Sequence, residues 1–283
     1  LKETIRIGTR GSKLALAQAE IVVSALRARH SGIEVKVVQI KTLGDLLPPS
    51  RAKEVDGKAA FTGALEEALM KGEVDAAVHS LKDLPNDIEQ GLTLGATPRR
   101  GDHRDALVSK KGLQMADVPA GGRIGTSSLR RKAQLLAMRP ELEVVEVRGN
   151  VETRVSKLEH GDLDGIVLAY AGLARIGLSA RVTQVFDPEV MVPAVCQGTV
   201  GVEARADDSE VLALLSPIED ADTRTSSECE RAFSKELGGD CYVPLGAFAR
   251  VDGDKLDVVG MVATPDGKRM ARSSIRGSAS DPV

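Results

Sequence analysis

Gly125-Thr126-Ser127-Ser128-Leu129-Arg130-Arg131 places hydroxyls and two consecutive arginines where a strand should turn into a helix. Exposed N–H groups at such a helix start, with the hydroxyls and guanidiniums, would hold an anion. An ordinary N-capped turn explains the hydroxyls. It does not explain consecutive arginines in a first helical turn, which oppose the helix dipole and need a compensating anion. Arg148-Gly149-Asn150 with Arg154 repeats the device at the next strand-to-helix junction, Arg175 follows the strand after that, and Arg10 follows the first strand of the chain. Each alone is a solvated charge. Together they are better explained by a ligand with several carboxylates or phosphates, which planar guanidiniums bind in two-pronged fashion.

Asp83 is the candidate acid–base group. It lies past a strand end, in Ser80-Leu81-Lys82-Asp83-Leu84-Pro85, where the chain must turn. Taken alone, that segment favours a surface aspartate bonding its own backbone over a catalytic one. Cys241 falls in Gly238-Gly239-Asp240-Cys241, a turn between a helix and a strand. Most cysteines are small buried hydrophobes, but one on a glycine-rich loop is reachable, which fits a nucleophilic or attachment role. Arg139, on a helix face, is by contrast expected to be a charge whose loss is nearly silent in binding or rate.

Alternating strands and helices must position these groups. Strands are predicted at 4–8, 34–41 and 75–79, with helices at 12–29 and 61–71. The polar stretch 43–58, with Pro48-Pro49, is long for a connector and reads as a lid or mobile segment. After a hinge at 98–102 the pattern restarts, with strands at 105–109, 123–125, 143–147 and 165–169 and helices at 128–138, 150–160 and 171–176. A strand at 200–204 is expected to return to the first domain. Helices at 209–215 and 220–237 then precede strands near 245–251, 256–264 and 269–276, the order of a small α+β domain. The expected fold class is α/β, two lobes with a hinged central cleft plus that C-terminal domain. The expected domains are 1–98 with 199–216, 103–192, and 220–283, the last carrying Cys241.

Composition removes other classes. No apolar run approaches the ~18–20 residues that span a bilayer, and the N-terminus has no apolar secretory core. Aromatics are 2% and net charge is −3, which weakens readings built on base stacking or polyanion attraction. Three cysteines without a CxxC pair and four scattered histidines disfavour a disulfide framework or a zinc site, so no metal is expected. P-loop, GxGxxG and GxSxG motifs are absent. The 23 arginines against 15 lysines have a bland explanation in genome composition, and only their positions argue otherwise.

In segments running from Ile5 to about Ser273, the sequence resembles the porphobilinogen deaminase (hydroxymethylbilane synthase) family. The resemblance rests on Ile-Gly-Thr-Arg-Gly-Ser at 7–12, Ala-Val-His-Ser-Leu-Lys-Asp-Leu-Pro at 77–85, the 125–131 segment, Val-Arg-Gly-Asn-Val-Glu-Thr-Arg at 147–154, and Cys-Tyr-Val-Pro-Leu-Gly from Cys241. It implies periplasmic-binding-protein-like lobes and a transferase that condenses four porphobilinogens into a linear tetrapyrrole, releasing ammonia at each addition. It further implies a dipyrromethane cofactor in thioether linkage to Cys241, with Asp83 as the catalytic carboxylate. Lys82, Ser80, Thr126, Ser128, Arg130 and Arg131 would hold the cofactor. Arg10, Arg148, Arg154 and Arg175 would bind substrate carboxylates, with Phe61 near the rings. The implied protein is a cytoplasmic monomer with a small-molecule substrate and neither nucleic-acid nor membrane partners. Asp240 stands where the family more often has Gly, Ala59-Ala60 where it often has a further Gly, and a C-terminal helix with which the family usually continues is not expected within these residues. The rival readings are a two-lobed anion-binding protein, which would need neither Asp83 nor Cys241, and a phosphate-handling transferase.

Overall fold

The computed structural model describes residues 2–42, 59–238 and 243–282. Over residues 2–101 the chain forms β1 (Thr4–Thr9), α1 (Lys13–Arg29), β2 (Glu34–Gln39), α2 (Ala59–Met70), β3 (Ala76–Ser80) and β4 (Leu92–Ala96). Next come β5 (Asp105–Ser109), β6 (Arg123–Gly125), α3 (Leu129–Met138), β7 (Glu143–Val145), α4 (Val151–His160), β8 (Gly165–Ala169), α5 (Tyr170–Arg175) and β9 (Gln184–Val185). The last stretch contains β10 (Val200–Arg205), α6 (Ser209–Leu215), α7 (Ala221–Glu236), β11 (Leu245–Asp252), β12 (Lys255–Ala263) and β13 (Met270–Ser278). Two compact units result: Leu1–Gly101 with Thr199–Arg224, and Asp102–Gly198 with Thr225–Val283.

Each unit is built on a five-stranded sheet, ordered β2-β1-β3-β10-β4 in the first and β7-β6-β8-β5-β9 in the second. In the first, β1 is parallel to β2 and β3, while β10 runs antiparallel to β3 and β4. In the second, β6 is parallel to β7 and β8, while β5 runs antiparallel to β8 and β9. The two sheets therefore share one topology. Three parallel strands in each bring their carboxyl ends to one edge, where ligands of open α/β sheets bind.

Alternation along the strands divides the apolar residues between two faces, as a period of two requires. In the first unit Ile5, Ile7 and Val78 pack with Val22, Val23 and Leu26 of α1, whereas Ala77 joins Leu65 and Leu69 of α2. In the second, Ala106, Val108, Ile166 and Leu168 meet Val155 and Leu158 of α4, whereas Leu107, Ile124 and Val167 meet Leu135 of α3. β11, β12 and β13 form a separate antiparallel sheet. Gly260 lets α7 lie against it, since a Cβ there would stand 2.4 Å from the Phe233 ring.

The structure adds strands β4 and β9; β4 carries the alternation Leu92-Thr93-Leu94-Gly95-Ala96, which the sequence reading missed, and β9 is only two residues long. α2 begins at Ala59, two residues before its predicted start. Segment 43–58 lies outside the described residues. Arg139 stands at the end of α3 rather than on its face. It caps α3 and donates to the carbonyls of Met115 (2.7 Å), Ala116 (3.2 Å) and Val118 (2.9 Å), clamping the preceding turn.

Candidate active site

In the first unit the site residues follow from how β3 ends. Leu81 donates its N–H to the Thr199 carbonyl at 3.0 Å, and Leu84 donates back to Leu81 at 3.2 Å, closing a 3-10 turn over Leu81–Asp83. Leu81 and Leu84 are buried, and Pro85 prevents the turn from continuing as a helix. Two buried leucines thus anchor a short turn between which Lys82 is half-buried and Asp83 exposed. No hydrogen bond to the Asp83 carboxylate is found among the described residues, so the turn aspartate does not bond its own backbone.

Ser80 Oγ and the buried Gln18 amide of α1 are 2.8 Å apart. Arg10, half-buried, follows β1 at the same sheet edge. Beneath them lies a pair that the sequence reading missed: His79 Nε2 is 3.1 Å from Glu203 Oε2, both groups buried. Burial, with the Glu203 charge adding to it, raises the nearby Glu66 carboxyl against a hydrogen bond from Thr62. Phe61 lies in the first turn of α2, but its side chain lies outside the described residues, as does Cys241.

In the second unit, β6, β7 and β8 deliver Thr126, Ser128, Arg130, Arg131, Arg148, Arg154 and Arg175 to one sheet edge. The hydroxyls act as caps: Thr126 Oγ1 accepts from the Ser128 N–H at 3.2 Å, and Ser128 Oγ from the Arg131 N–H at 3.4 Å. The two arginines turn inward and are 4% and 5% exposed. Arg130 Nη1 donates to Asp105 Oδ2 at 2.7 Å and to the Val192 carbonyl at 2.6 Å. Arg131 Nε donates to Asp105 Oδ1 at 2.8 Å, Nη1 to the Val167 carbonyl at 3.1 Å and Nη2 to Gln197 Oε1 at 3.2 Å.

This corrects the argument that the paired arginines need an external anion, because Asp105 is an internal one. Burial pushes the Asp105 carboxyl up, but the charges of Arg130 and Arg131 and their hydrogen bonds hold it well below the usual range. Burial also pulls the Arg131 guanidinium down. The balance is nonetheless incomplete: two guanidiniums face one carboxylate, and Arg130 Nε is buried with no acceptor. Asp105 could have been suspected as the one charge opening the apolar strand Asp105-Ala-Leu-Val-Ser109, but only the fold brings it to residues 25 and 26 positions away.

The other arginines are more open. Arg148 Nε is 2.5 Å from Glu146 Oε1. Arg154 Nε donates to the Gly149 carbonyl at 2.7 Å. Gly149 has φ +118°, and a Cβ there would stand 2.8 Å from Thr153 Cγ2. Arg175 Nη2 donates to the Gly198 carbonyl at 2.6 Å, and burial lowers its guanidinium pKa. Of the other cysteines, Cys196 is buried. Cys229 is half-buried, and burial, followed by the Glu230 charge, raises its thiol. The Cys229 environment does not favour a thiolate.

Fold and site together define an α/β protein whose two units carry cationic and hydroxyl side chains at the carboxyl ends of parallel strands. Residues 5–213 match the porphobilinogen deaminase dipyromethane cofactor binding domain, and residues 224–283 match the porphobilinogen deaminase C-terminal domain. A porphobilinogen deaminase of Roseiflexus sp. (strain RS-1) is 50% identical over 283 residues, covering 100% of this chain and 93% of its own. One from Pelotomaculum thermopropionicum is 46% identical over 281 residues, covering 99% and 90%. The chain belongs to the porphobilinogen deaminase family. Among solved structures, a YaeC-family lipoprotein of Enterococcus faecalis superposes with a TM-score of 0.46 at 14% identity, covering 84% of this chain and 98% of its own.

Proposed function

We propose that the chain condenses four porphobilinogens head to tail into hydroxymethylbilane, with loss of ammonia at each addition, starting from a dipyrromethane joined by a thioether to Cys241. The observation that carries this reading is the guanidinium pair of the second unit, buried around one carboxylate and left one negative charge short; the exposed carboxylate on the anchored turn of the first unit supports it. The residues fit such a cofactor: the orphaned donor of Arg130 and the surplus positive charge suit an organic carboxylate, and Thr126 and Ser128 fix the helix start that presents them. Arg130, Arg131, Thr126, Ser128, Ser80 and Lys82 would hold it. When bound, it supplies an electron-rich pyrrole carbon as the first acceptor.

Asp83 does the proton work. Loss of ammonia from porphobilinogen leaves a methylene-pyrrole whose nitrogen bears positive charge, and a fixed carboxylate accepting that N–H stabilises it. The same carboxylate can relay the proton that the departing amine requires. Arg10, Arg148, Arg154 and Arg175 bind acetate and propionate side chains, of which each substrate brings one pair, and Phe61 lies near the rings. The protein acts as a cytoplasmic monomer on small molecules and uses no nucleic acid. Among the described residues no helix is long and apolar enough to cross a membrane, and no cluster of His, Cys, Asp or Glu is placed to hold a metal ion.

Intact-protein mass tests the reading. The full chain is expected to carry a covalent addition of two pyrrole units, lost in Cys241→Ser and retained in Cys196→Ser and Cys229→Ser. An undiminished adduct in Cys241→Ser overturns the attachment site.

A further inference from the structure

The charge balance around Asp105 extends into a connected buried network. Besides its two arginines, Asp105 Oδ1 accepts from Gln197 Nε2 at 3.0 Å. Gln197 is wholly buried, accepts from Arg131 Nη2 at 3.2 Å, and donates to the His103 carbonyl at 2.8 Å. Its neighbour Cys196 has φ 57°, a left-handed value that a non-glycine residue holds only when its surroundings over-determine it. Glu230, buried in α7, supplies that restraint, with one oxygen accepting the Cys196 N–H at 2.6 Å and the other the Ala249 N–H at 2.8 Å.

Position 197 is where the balance is decided. A glutamine there reaches Asp105 and Arg131 at once, and the isosteric glutamate would complete the neutralisation from within. The site would then have no charge left for a ligand. Two buried guanidiniums sharing one carboxylate, with the Arg130 Nε–H left without an acceptor, are costly, so a surplus kept inside a folded core marks a place where an outside anion completes the pairing. With two guanidiniums and one carboxylate, the vacancy is for one negative charge, which suits a carboxylate better than a phosphate dianion.

We propose that Gln197 and Asp105 are positioning residues that hold the Arg130–Arg131 pair at one surplus positive charge, making it a receptor for a single carboxylate of the cofactor, and that Glu230 keeps Gln197 in register. This rests on the reading that Arg130 and Arg131 hold the cofactor and adds the charge that the site accepts. The residues act through the arginines and need not touch ligand.

The test follows acquisition of the two-pyrrole adduct by intact mass when cofactor-free full-length chain is incubated with porphobilinogen. Gln197→Glu should load ten- to a hundredfold more slowly, roughly the worth of one charge-assisted hydrogen bond. Its cofactor-free form should melt no lower than the parent, because the new carboxylate gains Arg131 as a partner. A general packing lesion would instead lower the melting temperature. Asp105→Asn combined with Gln197→Glu moves the carboxylate across the hydrogen-bonded pair, restores the surplus, and should recover loading to within about tenfold of the parent.

Loading of Gln197→Glu at the parental rate overturns the proposal, as does a folded double variant no faster than Gln197→Glu. If the double variant does not fold, Gln197→Glu alone decides. Arg131→Leu separates the two ideas. Normal loading there defeats the cofactor-binding reading itself, whereas slow loading there with a parental rate in Gln197→Glu defeats only the charge-setting role.

Discussion

Asp83 and Arg148 are both accessible, so their replacement tests chemistry with little disturbance of packing. Asp83→Asn keeps the shape of the turn, which Leu81 and Leu84 anchor, and removes the charge. The expected outcome is a folded protein whose single-turnover ammonia release is slower by ~10²–10⁴, the range for general acid–base or electrostatic catalysis. A rate within threefold of the parent would make Asp83 a turn residue only. Arg148→Leu breaks an exposed pair with Glu146, and such pairs contribute about 0–1 kcal/mol to stability. Its melting temperature should hardly move while KM for porphobilinogen rises about ten- to a hundredfold. Arg131→Leu should differ in kind, lowering the melting temperature as well, because it dismantles a buried network. These differences were hidden in the sequence. The 125–131 and 147–154 segments read alike as strand-end arginines, and burial alone separates their guanidiniums.

Two elements position the arginines of the second unit, and each gives a measurable consequence. Gly149 turns the chain from β7 into α4 at φ +118°, between Arg148 and Arg154. Gly149→Ala brings a Cβ against Thr153 and strains the backbone, at a cost of about 1–3 kcal/mol. The urea midpoint should fall, and KM should rise more than kcat drops, because binding groups rather than the Asp83 turn are displaced. Arg139 shows the reverse case, a charge remote from the site that holds structure. Arg139→Leu leaves three carbonyls without their charged donor and should lower stability by about 2 kcal/mol with little change in kcat. An unchanged urea midpoint would make Arg139 a solvated charge with no structural role. Helices and parallel strands were legible because periods of 3.6 and 2 are local. The clamp of Arg139 on a turn 21–24 residues earlier is not local, and β4 and β9 are short strands placed by their partners.

At the scale of the whole molecule, each unit holds, among the described residues, a buried aspartate against cations beside its sheet, Asp75 in the first and Asp105 in the second. Burial pushes the Asp75 carboxyl up, but hydrogen bonds from Arg6 and Lys2 outweigh it and bring it down to about 2. The unfolded chain titrates near ~3.9, so the folded state favours the charged form. That stabilisation is complete above about pH 4 and is lost as pH falls through about 2. Asp75→Asn should therefore lower the urea midpoint at neutral pH and flatten its decline between about pH 4 and 2. An acid limb as steep as the parent's would place the titrating groups elsewhere.

The amino-acid sequence by itself determined the α/β alternation, the strand-end arginines, the exposed turn with Asp83 and the family, because these depend on residue type, short spacing and contiguous motifs. Tertiary structure decided that β10 inserts between β3 and β4, that His79 meets Glu203, and that Asp105 and Gln197 meet Arg131. Those pairings join residues tens of positions apart. Their strength comes from exclusion of water, which exists only once the chain has folded.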